Sequence, residues 1–290
     1  MTEAATLPFS YHPPATERAG QAPSGPAPAE HAPRINRGAA SKPRDKSGPK
    51  WPKYVPPLTP EQERISEDFL AHWLSVLPRS KFSAIERYNH GYPVWHRPRQ
   101  FRTTLEIGAG LGAHFEHEQL TEEQARNYYA LDLRPNLMQA LQQRFPKLHA
   151  ITGDCQQKLK QFPDGFFDRV VAIHVLEHLP NLPAAIREAY RLCNKERGVF
   201  SIVIPTEGSL AYTLAQRISA QRIFEKRYNQ SYDWYISREH INRPHEIMEE
   251  LRPWFATAHR SFWPLLLPAT ELNLSIGLTL RPRKNAPVLS

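Results

Sequence analysis

An acid, Glu106, is followed by three glycines at every second position: Gly108, Gly110 and Gly112. Glycine lets a backbone turn sharply and approach a ligand with no Cβ in the way. The amides that open a following helix would point at the same place. Gly108, Gly110 and Ala113 also satisfy the dinucleotide pattern G-x-G-x-x-G/A. Two further acids close apolar runs downstream, Asp132 in "YALDL" and Asp154 in "ITGD". A carboxylate at the end of the second strand can accept both hydrogen bonds of a ribose diol, and one at the end of the third suits an adenine amino group. Glu106 discriminates between ligands: it would repel a pyrophosphate but would tolerate a cation.

Two other stretches hold groups that could move protons. "FDRVVAIHVLEHL" puts His174, Glu177 and His178 after an apolar run. "RYNQSYDWYISREHINRPHEI" combines Tyr228, Tyr232, Asp233, Trp234, Tyr235, Arg238, Glu239, His240, Asn242 and His245. Its aromatics could stack on a ring or sugar, and its polar groups could bind hydroxyls. The same pattern also suits an amphipathic lid whose aromatics cover the sheet. His240 is the candidate base there, with His174 as the second, and Asn242 could cap a helix. Tyr232, Trp234, Tyr235 and Arg238 are the candidate acceptor contacts. Glu177 and His178 read first as structural, and no metal is expected. Those two with His240 and His245 could be ligands only if the fold brought them together. Cys155 and Cys193 are too few for a disulfide framework or a cysteine zinc site, which suits a reducing compartment and a cytoplasmic location.

The elements that must position these groups follow from periodicity. Residues 1–57 hold four Lys and four Arg against one Asp and three Glu, and 13 of the 28 prolines fall in the first 60 residues. That composition reads as a disordered, basic, Pro-rich tail. Residues 58–290 read as the folded domain, with 58–100 as an N-terminal helical cap. Thr59 and Pro60 start a helix, and Ile65, Phe69, Trp73 and Leu77 give it one apolar face. "KFSAIERYNHGYPVW" reads as a mixed connector. From Arg102 strands and helices alternate, which calls for a parallel sheet with helices on both faces. Residues 206–243 interrupt the alternation on the substrate side, and two strands close the chain. No apolar run reaches the ~20 residues of a membrane span.

With these motifs in this order, residues 100–205 resemble the class I S-adenosylmethionine-dependent methyltransferases, in their small-molecule, type-11-like branch. "LEIGAGLG" is similar to their first motif, "ALD" to the second-strand acid, "GDC" to the adenine contact, and "FDRVVAIHVLEHLPN" to the fourth strand and its exit. The resemblance implies a Rossmann-like, seven-stranded, mostly parallel sheet with a final antiparallel hairpin. It implies S-adenosyl-L-methionine as cofactor, bound by Glu106, Gly108, Ala109, Gly110, Gly112, Asp132, Leu133, Asp154, Cys155 (through its amide) and His174. His114 and Phe115 could line the pocket. The leading reading is methyl transfer to a small molecule or glycan, at oxygen. A nucleic-acid methyltransferase comes second, on the basic tail and a net charge of +8. However, "AIHVLEH" is not the Asn/Asp-Pro-Pro-aromatic signature of base-amine methylation. A nicotinamide-dependent dehydrogenase and a non-catalytic scaffold of the same fold are the remaining readings.

Overall fold

The computed structural model describes residues 50–76 and 83–288. Residues 1–49 of the expected tail, and Leu77 of the first helix, lie outside them. Seven strands form one sheet: β1 (Thr104–Ile107), β2 (Tyr128–Asp132), β3 (His149–Thr152), β4 (Arg169–Ile173), β5 (Val199–Pro205), β6 (Phe255–Trp263) and β7 (Ser275–Pro282). Their order is β3-β2-β1-β4-β5-β7-β6. The first five are parallel, and β7 joins β5 and β6 antiparallel, so the expected terminal hairpin is present. β5 is buried along its whole length, Ser201 included, as a strand in a sheet covered on both faces is.

The helices are α1 (Pro60–Val76), α2 (Ser83–Trp95), α3 (Ala113–His117), α4 (Glu122–Arg126), α5 (Pro135–Arg144), α6 (Leu182–Leu192), α7 (Leu210–Ile218), α8 (Ala220–Tyr228), α9 (Asp233–Glu239) and α10 (Pro244–Leu251). α1 begins as its sequence dictates: the Thr59 hydroxyl accepts from the Gln62 amide at 3.3 Å. α6 buries Ala185, Ile186, Ala189 and Leu192 in the main core against β1, β4 and β5. The stretch read as a connector is helix α2. Its Tyr88 and Tyr92 cover the opposite face at Val203, and the Tyr92 hydroxyl lies 3.1 Å from that of Thr279.

Residues 50–57, assigned to the tail from composition, are packed against the domain. Lys53 Nζ donates to both Glu246 oxygens, at 2.7 and 2.8 Å, and to the Ile241 carbonyl at 2.7 Å. Trp51 Nε1 donates to Glu250 at 3.0 Å. Composition missed this anchor because it rests on two side chains in an otherwise Pro-rich stretch.

Candidate active site

Strand order reverses between β1 and β4, the place where open parallel sheets bind ligands beyond the carboxyl ends of their strands. Both loops that leave these strands carry expected site residues. Gly108, Gly110 and Gly112 all have positive φ, at 71°, 54° and 81°. A Cβ on Gly108 would lie 2.4 Å from Val175, so the glycine turn and the β4 exit are packed on each other. A Cβ on Gly110 would meet no heavy atom within 4 Å. That bare, open backbone is the cradle a nucleoside cofactor needs.

Asp132 is buried at the end of β2. Its Oδ2 accepts from the Gly110 amide at 3.1 Å, which ties the glycine loop to the acid. Arg134 holds the same carboxylate through its amide and Nε at 3.0 Å and through Nη2 at 3.2 Å. Although burial opposes ionisation, these donors and the Arg134 charge keep Asp132 below the usual carboxylate range. The Arg134 side chain is half exposed, so it can swing away and leave the acid to a ribose diol. Leu133 stands exposed beside it, an apolar face for a ring. At the β3 exit, Gln156 engages only Oδ1 of Asp154, and Cys155 turns its buried thiol into the core. Ala109 is buried in the turn. Taken together, the open Gly110 cradle, the two acids and Leu133 fit S-adenosylmethionine.

Glu106 does not open onto the loop surface. Its carboxyl is buried and accepts from the Tyr128 hydroxyl at 2.8 Å. Burial pushes its pKa up to about 8, and Glu118 nearby reinforces the shift. Beneath the glycine loop a second buried group adjoins it: Arg169 forms an ion pair with Glu118, which Arg97 joins from the edge, and His114 Nε2 meets Glu118 at 3.0 Å. Burial pulls His114 down to about 4. His114 is therefore part of the core, and Phe115 packs among Tyr128 and Phe145, so neither lines the crevice as expected.

The β4 exit carries the second half of the site. His174 has a left-handed backbone, φ 51°, which for a residue other than glycine persists only where the surroundings enforce it. Its Nδ1 lies 3.1 Å from Glu177 Oε1, and its Nε2 is buried with no hydrogen-bond partner. Glu177 is fully buried. Burial opposes its charge, but His174, His178 and His240 hold its pKa down to about 2.

His240 arrives from α9, some sixty positions along the chain, through a backbone clamp. The Ile241 and Asn242 amides both donate to the Glu177 carbonyl, at 2.9 and 3.0 Å. The Asn242 side chain donates to the Leu176 and Leu179 carbonyls, both at 2.8 Å, so it pins the Leu176–His178 turn and does not cap α10. His240 Nδ1 meets Glu207 Oε2 at 2.7 Å. Burial opposes protonation of His240, yet the bond to Glu207 and the charges of Glu177, Glu207 and Glu239 raise its pKa. Sequence reading missed Glu207 as a site residue, since the loop after β5 gave no motif. His245 sits exposed on α10, apart from this group.

The expected acceptor contacts are placed differently. Tyr232 and Tyr235 are buried with Ile65, Phe69 and Phe224 in a separate core between α1, α8 and α9. Phe69 meets Phe224 and Tyr235 edge-on, with ring centroids 5.0 and 5.2 Å apart. Trp234 packs against the same core, and Arg238 donates to the Pro56 carbonyl. The aromatics hold α8 and α9 against α1. Apolar packing won because α1, a distant element, supplies the partners.

Residues 105–202 match the family model of a methyltransferase domain. No curated protein matches the chain significantly. Among solved structures, a TehB-like S-adenosylmethionine-dependent methyltransferase from Corynebacterium glutamicum is 14% identical, covering 76% of this chain and 100% of its own, with a TM-score of 0.50. The N-methyltransferase NodS from Bradyrhizobium japonicum, solved with S-adenosyl-L-homocysteine, is 13% identical over 76% and 98%, also at 0.50. A protein from Pyrococcus horikoshii is 12% identical over 73% and 99%, at 0.51. No helix among the described residues is long and apolar enough to cross a membrane. The motif order, the sheet topology, the open glycine cradle and the domain match agree: residues 105–202 are a methyltransferase domain, set in the fold of S-adenosylmethionine-dependent methyltransferases.

Proposed function

We propose that the enzyme methylates a hydroxyl oxygen of a small molecule or glycan, with His174 as the general base. The unpartnered Nε2 of His174 carries this reading. Glu177 Oε1 accepts from Nδ1–H, which leaves Nε2 as the basic nitrogen of the neutral ring. A hydroxyl acceptor must lose a proton during transfer, whereas an amine lone pair needs no base to attack. The bound cofactor supplies an electrophilic methyl group on sulfur. Gly108, Gly110, Asp132, Leu133 and Asp154 hold it in the crevice. His174 takes the acceptor proton, and residues 206–243, on helices α7 to α9, wall the acceptor side. His240 stands beside this group, its Nδ1 held by Glu207.

The test is incubation of the protein with carbon-13 methyl-labelled S-adenosylmethionine and a panel of polyhydroxylated aromatics and sugars, followed by carbon-13 NMR of the products. The labelled methyl is expected on oxygen; a label on nitrogen or carbon overturns the reading. His174→Asn keeps a residue that tolerates the left-handed backbone. It should lower turnover by about 100-fold or more, and an unchanged pH–rate profile would exclude His174 as the base.

A further inference from the structure

We infer that Glu177, His178 and His240 form a binding site for one divalent transition-metal ion beside the acceptor crevice. Each residue offers one ligand atom, and the three atoms lie within 4.8 Å of one another. Ligands to one ion at about 2.0–2.2 Å sit at most ~4.4 Å apart, so small side-chain rotations close the set. The frame that holds them is stiff, because the clamp from Ile241 and Asn242 binds the two segments through four backbone acceptor contacts.

Three further observations point to a cation. First, Glu177 Oε2 is buried without a hydrogen-bond partner, in a side chain with 0% exposure, while Oε1 is occupied by His174. A buried carboxylate oxygen left unsatisfied is costly, and a bound cation removes that cost. Second, His240 has an outer carboxylate at Nδ1, Glu207 at 2.7 Å, while Glu239 lies 3.7 Å from His178 Nδ1. A carboxylate bonded as Glu207 is fixes the ring and raises the basicity of the other nitrogen, the usual surroundings of a metal-bound imidazole. Third, Glu177, Glu207 and Glu239 bring three carboxylates together, and no Lys or Arg among the described residues forms an ion pair with any of them.

Two imidazoles and one carboxylate suit zinc, manganese, iron(II) or cobalt, and suit calcium or magnesium poorly. Three protein ligands leave coordination positions open, and an acceptor oxygen could take one. The inference goes beyond the transfer reaction: the ion can bind whichever atom is methylated.

The full chain, stripped with EDTA and dialysed, is titrated with Co2+ and followed by visible absorption. One Co2+ per chain with d–d bands, displaced by Zn2+, is the expected result. Glu177→Gln, His178→Ala and His240→Ala should each weaken binding by more than 100-fold, and Glu207→Gln by 10- to 100-fold. Circular dichroism and S-adenosylhomocysteine affinity report whether each variant is folded. If Glu177→Gln does not fold, His178→Ala decides, because its side chain is a third exposed. Absence of Co2+ binding to folded wild-type protein, or stoichiometric binding unchanged in His178→Ala, overturns the inference.

Discussion

Two buried groups of glutamate and histidine flank the cofactor crevice, and they are neutralised in opposite ways. Under the glycine loop, Glu118 meets His114, Arg97 and the fully buried Arg169, whose Nη2 also donates to the Pro93 carbonyl at 3.0 Å. A permanent cation is built into that group, and Glu106 beside it is held by a phenol. At the β4 exit, Glu177, Glu207 and Glu239 surround His174, His178 and His240 with no arginine or lysine in ion-pairing reach among the described residues. The first group is balanced by Arg169 and Arg97 and supports the glycine turn. The second has no built-in cation of that kind, and its buried His174 Nε2 and Glu177 Oε2 have no hydrogen-bond partner. Residue type alone does not separate a structural cluster from a chemical one; the presence of an internal counter-charge does.

The comparison breaks most severely at Arg169. Arg169→Met removes the buried cation and leaves Glu118 with Arg97 alone, with an expected loss of about 3–5 kcal/mol of stability by urea unfolding. His178→Ala in EDTA-containing buffer should cost less than ~1 kcal/mol, since that side chain is partly exposed and Glu177 keeps its bond to His174. Equal losses would refute the distinction drawn between the two groups.

Next in size is cofactor affinity. Asp132→Ala removes the acceptor of the ribose bonds and should weaken S-adenosylmethionine binding at least tenfold by calorimetry, from charge-assisted bonds of about 1.5–3 kcal/mol each. Arg134→Ala should leave affinity unchanged or improve it a few-fold, because Arg134 competes with the ribose for that carboxylate. A large loss in Arg134→Ala would make the arginine a ligand contact and not a competitor.

The smallest effect is in pH dependence. The folded-state pKa of Glu106, about 8, lies above the ordinary 4.5. Its contribution to stability is therefore present below pH 4.5 and is lost as pH rises through 8. His114, lowered to about 4, acts in the other direction: its contribution is present above pH 6.5 and is lost as pH falls through 4. Glu106→Gln should flatten the decline between pH 5 and 8 and raise the melting temperature at pH 8 by a few degrees, at ~2–4 °C per kcal/mol for a domain of this size. A decline that persists in the variant would assign it to another group.

The sequence by itself determined the sheet and marked the loops that leave β1, β2 and β3. Alternating apolar runs, glycines at every second position after β1 and acids closing β2 and β3 are local signals, and each residue acts within a few positions of its motif. Tertiary structure alone decided the rest. His240 joins Glu177 and His178 only because Asn242 and Ile241 bond to a turn more than sixty residues away. Tyr232 and Tyr235 became core because Phe69 of α1 lies against them. Lys53 and Trp51 turned the end of a Pro-rich segment into an anchor for α10. The physical reason is common to all three: hydrogen bonds and apolar contacts between distant segments depend on which faces the fold brings together, and no local periodicity carries that information.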